Sequence, residues 1–230
     1  MTTFCLIHGS WHGKWCFERL TPYLEAAGHR ALAVELPSDR PGTTCSEYAE
    51  LVAAALGEDD DEVILVGHSF GGLTIPLVAA LRPVRRLVYL AALIPKPGMS
   101  MTEQFESGEE AIVFEGGREL NPEGTLSRWS DREAATAAMY HDCTPEDASW
   151  AWSKLRPQSR AAQNEVCPLN ELPDLPTSYV VCRDDRMASN EWGRRTAQAR
   201  LGTDPVEIDG GHCPFLSRPR ELADLLVGLL

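Results

Sequence analysis

The stretch EVILVGHSFGGLTIP, Glu62 to Pro76, decides how this chain is read. It opens with apolar β-formers, continues through a Gly-x-Ser-x-Gly turn and passes into a helical pattern. Val63 to Val66 show no polar alternation, so this strand is expected to be covered on both faces, as in a parallel sheet. Gly67, Gly71 and Gly72 surround Ser69 and permit a sharp turn. Any strand-to-helix turn can use Gly and Ser. The same turn can also present a serine hydroxyl at a helix N-terminus, where backbone N–H groups favour developing negative charge. The rest of the chain discriminates between these two uses.

Outward from this stretch, strand and helix patterns alternate. TFCLIH (Thr3–His8), RALAVEL from Arg30, RLVYLAAL from Arg86, TSYVVCR from Thr177 and PVEID from Pro205 read as strands. KWCFERLTPYLEAAG reads as a helix broken by Pro22 and ended by Gly28, and CSEYAELVAAALG as one closing at Gly57. GLTIPLVAALR, with Pro76 near its first turn, NEWGRRTAQARLG and PRELADLLVGLL are also helical. The acidic run EDDDE (Glu58–Glu62) reads as a solvated loop. After Pro95 the alternation stops. The chain turns polar and helical in parts, and carries Trp129, Trp150 and Trp152 before the strand at Thr177. The expectation is an α/β fold with a mostly parallel sheet of about six strands flanked by helices. Residues 1–95 and 177–230 would form the core and residues 96–176 a helical cap insertion. In such sheets ligands sit beyond the carboxyl ends of the strands.

Composition narrows the partners. The 230 residues are 43% hydrophobic, enough for a sizeable core, and carry 34 acidic against 21 basic residues, a net charge of −13. That field repels phosphates, so no nucleic-acid partner is expected. It says little about small neutral substrates. The opening MTTFCLIHGS has no basic n-region, so no signal peptide is expected. No run of about 18 apolar residues suggests a membrane span. Seven scattered cysteines (Cys5, Cys16, Cys45, Cys143, Cys167, Cys182, Cys213) contain no C-x-x-C pair. They read as free thiols in a reducing cytoplasm. His8 and His12 have helical metal-ligand spacing, but Gly9 and the preceding strand argue against that helix, so neither a metal nor another cofactor is expected.

A serine alcohol needs a base, and the base an orienting acid, in the chain order Ser, Asp/Glu, His. His212, in IDGGHCPF, is the only histidine after the polar segment; His8, His12, His29, His68 and His141 all come earlier. Asp184 and Asp185 both follow the TSYVVCR strand, and spacing does not choose between them. An oxyanion hole requires two donors. The N–H of Phe70, after the serine, is one. The loop after the first strand supplies the other, from Ser10 or alternatively Trp11. Trp11, Trp129 and Trp150 are the expected substrate contacts.

With these residues in view, the chain resembles the α/β-hydrolase superfamily, and within it the small plant-type methylesterase and hydroxynitrile-lyase branch with its bacterial relatives. The carriers are LIHGSWHGKWCFERLTPYLEAAGH, VGHSFGG, YLAALIPKPG, YHDCTPEDASWAWSKLRPQ, VCRDDRMASNEWGRR and GGHCPFLSRP, spread over essentially the whole chain. The resemblance selects Asp185 as the acid and supports Ser10 and Phe70 as oxyanion donors. It implies a cap over the site and a serine hydrolase acting on a small carboxylic ester, methyl esters included. Lyase members carry a Lys directly after the catalytic His. Here that position is Cys213, which favours esters over cyanohydrins. A lyase or other C–C bond-cleaving tailoring enzyme on the same triad, or a small-molecule receptor, are the competing classes.

Overall fold

The structure is a computed structural model that describes residues 1–57 and 62–230. Of the acidic run expected as a solvated loop, all but Glu62 lies outside the described residues. Glu62 is exposed and pairs with Arg85.

Along the chain, β1 (Thr3–Ile7) leads through a 3-10 turn (Lys14–Phe17) to α1 (Thr21–Ala26), β2 (Arg30–Val34), α2 (Cys45–Leu56) and β3 (Val63–His68). A second 3-10 turn (Ser69–Leu73) runs into α3 (Ile75–Leu81), and β4 (Arg86–Leu90) follows. Next come α4 (Met101–Glu106), β5 (Arg118–Leu120), β6 (Leu126–Trp129), α5 (Arg132–Met139), α6 (Pro145–Lys154), β7 (Gln158–Ser159) and α7 (Ala161–Asn164). The chain closes with β8 (Thr177–Cys182), α8 (Asn190–Thr196), β9 (Val206–Ile208), α9 (Pro214–Ser217) and α10 (Pro219–Gly228). Among the described residues no helix is long and apolar enough to cross a membrane.

Six strands make one all-parallel sheet in the order β2-β1-β3-β4-β8-β9. Its central strands are buried on both faces because successive side chains point to opposite sides. Phe4, Leu6, Ile64 and Val66 pack with Leu24, Leu222 and Leu226 on one face. Cys5, Ile7, Val63 and Leu65 pack with Tyr48, Val52 and Val78 on the other. Local signals set the helix ends. Thr44 and Glu47 form a reciprocal capping box at the start of α2, and Thr144 caps α6 with Pro145 in its first turn. All seven cysteines are free thiols.

The segment between β4 and β8 differs from its expected polar, helical character. Besides four helices it carries a three-stranded antiparallel sheet, β5-β6-β7. These strands are two to four residues long and contain Arg, Glu, Ser and Gln, too short for a period-2 pattern. A turn fixes the hairpin between β5 and β6: the Asn121 side-chain oxygen accepts from the N–H groups of Thr125 and Leu126, both at 2.8 Å. Trp129, Ala135, Tyr140 and Ala148 of this segment join the same apolar cluster as Phe4 and Leu6.

The turn after β3 is pressed between its neighbours. A Cβ on Gly72 would lie 2.2 Å from the Leu93 carbonyl oxygen and 2.8 Å from the Ala92 Cβ. Backbone cannot yield there without moving the end of β4. We therefore expect Gly72→Ala to lower the free energy of unfolding by about 1–3 kcal/mol. Gly228→Ala, at the end of α10 where a Cβ meets nothing within 4 Å, should be neutral or slightly stabilising. Urea unfolding midpoints of the two variants check this contrast; equal midpoints would contradict it.

Candidate active site

Ser69 sits at the carboxyl end of β3 with φ of 51°, the left-handed region that a side chain adopts only under strain. Among the described residues two other non-glycine positions share this feature, Trp11 (φ 63°) and Ala91 (φ 45°). They follow β1 and β4, the strands on either side of β3. Strained backbone is thus confined to one edge of the sheet, around Ser69. The Leu93 N–H donates to the Ser69 carbonyl at 3.0 Å and ties the turn to the chain after β4. Gly9 admits the close approach on the other side, since a Cβ there would stand 2.8 Å from the Ser69 Cβ. That approach brings Ser10 and Phe70 to the same cavity as Ser69.

His212 and Asp185 come from the loops after β9 and β8. His212 Nδ1 donates to Asp185 Oδ2 at 2.8 Å, with the two side chains 2% and 1% exposed. The other carboxylate oxygen, Oδ1, accepts from the N–H groups of Met187 (2.8 Å) and Ala188 (2.9 Å). Both oxygens are therefore engaged, which fixes the carboxylate and, through it, the imidazole plane. With its proton on Nδ1, His212 keeps the Nε2 lone pair as a base. Asp184 takes no part in this pair: its carboxylate accepts from the Gly210 N–H at 3.2 Å.

A second layer of histidines, to which the sequence pattern assigned no such role, holds these parts. His68 Nε2 donates to the His212 carbonyl at 2.9 Å. Burial, with His212 and His12 nearby, pushes its pKa well below the usual imidazole value. His12 is driven down to about 3, chiefly by burial. A neutral imidazole has one donor and one acceptor nitrogen. His12 Nδ1 donates to the Ser10 carbonyl (2.8 Å), and Nε2 accepts from the Tyr140 hydroxyl (2.8 Å). Burial raises the Tyr140 pKa, which keeps that hydroxyl a donor. The chain Tyr140–His12–Ser10 thus anchors the loop after β1 to the start of the loop after α5. Cys213, next to His212, is fully buried, and burial pushes its thiol well up, so it is neutral.

The cavity beside Ser69 has a free volume of about 60 Å³. Ser10, Trp11, Ser69 and Phe70 form one part of its lining, while Leu93, Met101, Phe105, Ile112 and Met187 make it largely apolar. Arg118 and Gln163 complete it. Of the three tryptophans expected to touch substrate, Trp11 lines this cavity; Trp129 and Trp150 do not. Trp129 packs edge-to-face behind Trp11 (5.6 Å between ring centres), and Trp150 packs against Trp15 (5.1 Å). Trp152 is half-buried against the same core. The wide indoles fill space between the 96–176 segment and the sheet rather than the cavity. His8 and His12 converge on no ligand: His8 Nε2 accepts from the Leu36 N–H at 3.1 Å. Among the described residues no three His, Cys, Asp or Glu cluster as metal ligands.

Comparison with known proteins agrees with this fold. The model of the alpha/beta hydrolase family matches residues 6–225. The chain is 29% identical to Methylesterase 2 of Arabidopsis thaliana over 98% of its own length and 95% of that protein's. It is 30% identical to Methylesterase 1 of the same plant, over 96% of this chain and 93% of that protein. The crystal structure of polyneuridine aldehyde esterase superposes with a TM-score of 0.84 at 25% identity, covering 100% of this chain and 99% of that one. A pyrethroid hydrolase from Sphingobium faniae JZ-2 shares the fold with a TM-score of 0.81 at 24% identity, over 99% of this chain and 96% of the other. A six-stranded parallel sheet with a strained serine turn after β3, and a match of this extent, place the chain in the alpha/beta hydrolase family, in the branch similar to plant methylesterases and polyneuridine aldehyde esterase.

Proposed function

We propose that this chain hydrolyses a small carboxylic ester through Ser69, His212 and Asp185 by way of an acyl-enzyme. The observation that carries the reading is the buried His212–Asp185 pair, fully hydrogen-bonded on the carboxylate side, at the sheet edge that holds Ser69. Relatives named methylesterases and an aldehyde esterase support it. Segment 96–176 acts as the cap, contributing Met101, Phe105, Ile112, Arg118 and Gln163 to the pocket.

The chemistry follows from the atoms available. Ser69 Oγ attacks the ester carbonyl as His212 Nε2 takes its proton, and Asp185 stabilises the imidazolium. The backbone N–H groups of Phe70 and Ser10 receive the negative charge on the tetrahedral oxygen. His212 then returns its proton to the departing alkoxide, which leaves as the alcohol. Water, deprotonated by His212, releases the acid and restores Ser69. The triad itself requires no cofactor.

Cyanohydrin cleavage on the same triad is the competing reading. It calls for a cation beside the base to stabilise departing cyanide, and the residue there is the neutral Cys213. Ester cleavage has no such need.

Ser69→Ala is expected to lower kcat on small methyl and aryl esters by several orders of magnitude with the fold intact, as judged by circular dichroism. Asp185→Asn should cost roughly 10³–10⁴-fold, because the amide mis-sets the His212 tautomer, and Asp184→Asn less than about threefold. Steady-state rates of the three variants decide this; a costly Asp184 would reassign the acid. On one preparation with Ser69→Ala as blank, ester turnover should be measurable and cyanide release from mandelonitrile negligible. Cyanide release above ester turnover would promote the lyase reading.

The neutral histidines add a pH dependence. Their folded pKa values lie below the unfolded value of 6.5, so the unfolded chain takes up protons first as pH falls. Stability is therefore full above about pH 6.5 and declines below it, by up to about 1.4 kcal/mol per pH unit for each histidine. Denaturant midpoints at pH 7, 6 and 5 should show this decline, and His12→Asn should flatten it by up to one proton. An unchanged slope in the variant would mean that His12 is not held neutral.

A further inference from the structure

The cavity holds one charge that the triad does not use. Arg118 starts β5, half-buried, and lines the cavity together with Ser69 and Trp11. Its guanidinium carbon lies 5.7 Å from the ring centre of Trp11 and 5.5 Å from that of Trp129, in the angle between two indoles packed edge-to-face. Nη2 donates to the Phe114 carbonyl at 3.1 Å. Among the described residues no carboxylate forms an ion pair with it; Glu115 acts on it only through space. Three other half-buried arginines pair with carboxylates, whereas Arg86 donates to Ser178 Oγ and Arg160 to the Gly124 carbonyl. Arg156 lies 2.6 Å from Glu35, Arg218 lies 3.5 Å from Asp142, and Arg200 pairs with Glu109. Neither Arg86 nor Arg160 lines the cavity beside Ser69; Arg118 does. Burial lowers its pKa, yet a guanidinium stays charged in proteins. A charge withdrawn from water costs stability unless it finds a counter-charge. Two π faces offset only part of that cost.

From this juxtaposition we infer that Arg118 is an anion subsite of the cavity and that the substrate is a short ester carrying a free carboxylate. The inference rests on the ester-hydrolase reading and names its substrate class. The two indoles and the Phe114 carbonyl fix the guanidinium, and its other N–H donors form a planar fork that a carboxylate accepts in bidentate fashion. Arg118 and Ser69 line the same cavity, so the acid and the ester are expected to be separated by only a short chain. A half-ester of a short dicarboxylic acid has these properties. The apolar remainder of the lining would hold the methylene chain, and the −13 net charge leaves Arg118 as the local attraction for the anion.

Two measurements test the inference separately from the catalytic reading. In the first, methanol release from monomethyl glutarate is compared with release from its neutral amide isostere, methyl 4-carbamoylbutanoate. The wild-type protein should favour the acid by about 10- to 100-fold in kcat/KM. Arg118→Gln should erase that preference, read as the ratio of the two kcat/KM values on one preparation, and Arg118→Lys should keep part of it. No preference in the wild type, or a preference that survives in Arg118→Gln, overturns the inference. The second measurement titrates free glutarate into the Ser69→Ala protein and reads Trp fluorescence, to which Trp11 and Trp129 contribute. Binding should weaken about tenfold or more when Arg118→Gln is added; equal binding overturns the anion subsite. Should Arg118→Gln fail to fold, Arg118→Lys carries both arms, with weaker binding and a reduced preference expected and wild-type values in both overturning the inference. If Ser69→Ala retains full ester turnover while glutarate binding still depends on Arg118, the triad reading fails and the anion subsite stands.

Discussion

The site depends on how closely the turn at Ser69 is pressed against the ends of β1 and β4. Three backbones meet there with almost no side-chain volume between them. A Cβ on Gly71 would reach to 2.6 Å from the Ile7 carbonyl oxygen, and one on Gly72 would collide with the Leu93 carbonyl. This crowding forces Ser69 into a left-handed conformation. Such a conformation costs about 1–3 kcal/mol and persists only where the surroundings over-determine it. Here the surroundings are two strands buried on both faces, Thr3–Ile7 and Arg86–Leu90, in register with β3. The hydrophobic sheet offsets the strain, and the strain exposes the serine.

The same packing sets the protonation of the histidines around the turn. His12, His68 and His212 lie in a dry layer beneath the cavity, with ring centres of His68 and His212 only 4.7 Å apart and those of His12 and His68 5.8 Å apart. Several imidazolium charges at these distances would repel one another, and burial removes the water that could screen them. His12 and His68 answer by staying neutral, each with a directed donor hydrogen bond to a backbone carbonyl. Those two carbonyls belong to Ser10 and His212, in the loops after β1 and β9. Neutral imidazoles therefore brace both loops, and of these three rings only His212 is paired with a carboxylate.

Charge on the other side of the cavity follows a different logic. Trp11, itself held at positive φ, carries one wall and offers its indole N–H to Ser127 Oγ at 3.2 Å. Trp129 backs it, and Arg118 leans into their angle. Gly117 makes that position reachable: it adopts φ of 66°, and a Cβ there would stand 2.5 Å from the Ala134 Cβ. The hairpin of β5 and β6 thus delivers a cation to a largely apolar pocket, on an element separate from the loops that carry Ser69, Asp185 and His212.

By itself the sequence determined the alternation of strands and helices, the parallel sheet, the serine turn and its flanking glycines, because each is written in local patterns of apolar residues and turn formers. It also narrowed base and acid to His212 and to Asp184 or Asp185, by order along the chain. Spacing left Asp184 and Asp185 open and the family resemblance selected Asp185; the loop's path then puts Asp185 on His212 and Asp184 on Gly210. The bracing role of His12 and His68, the packing role of Trp129 and Trp150 and the place of Arg118 were decided by tertiary structure. Each depends on residues far apart in the chain, such as Tyr140 on His12 or Trp129 beside Arg118. Their nearest local signal was the Asn-Pro-Glu-Gly turn at residues 121–124, which announces a hairpin without saying where it docks. Burial and contact between distant segments carry no period along the sequence, so they emerge only when the sheet is assembled and the segment between β4 and β8 closes over its carboxyl edge.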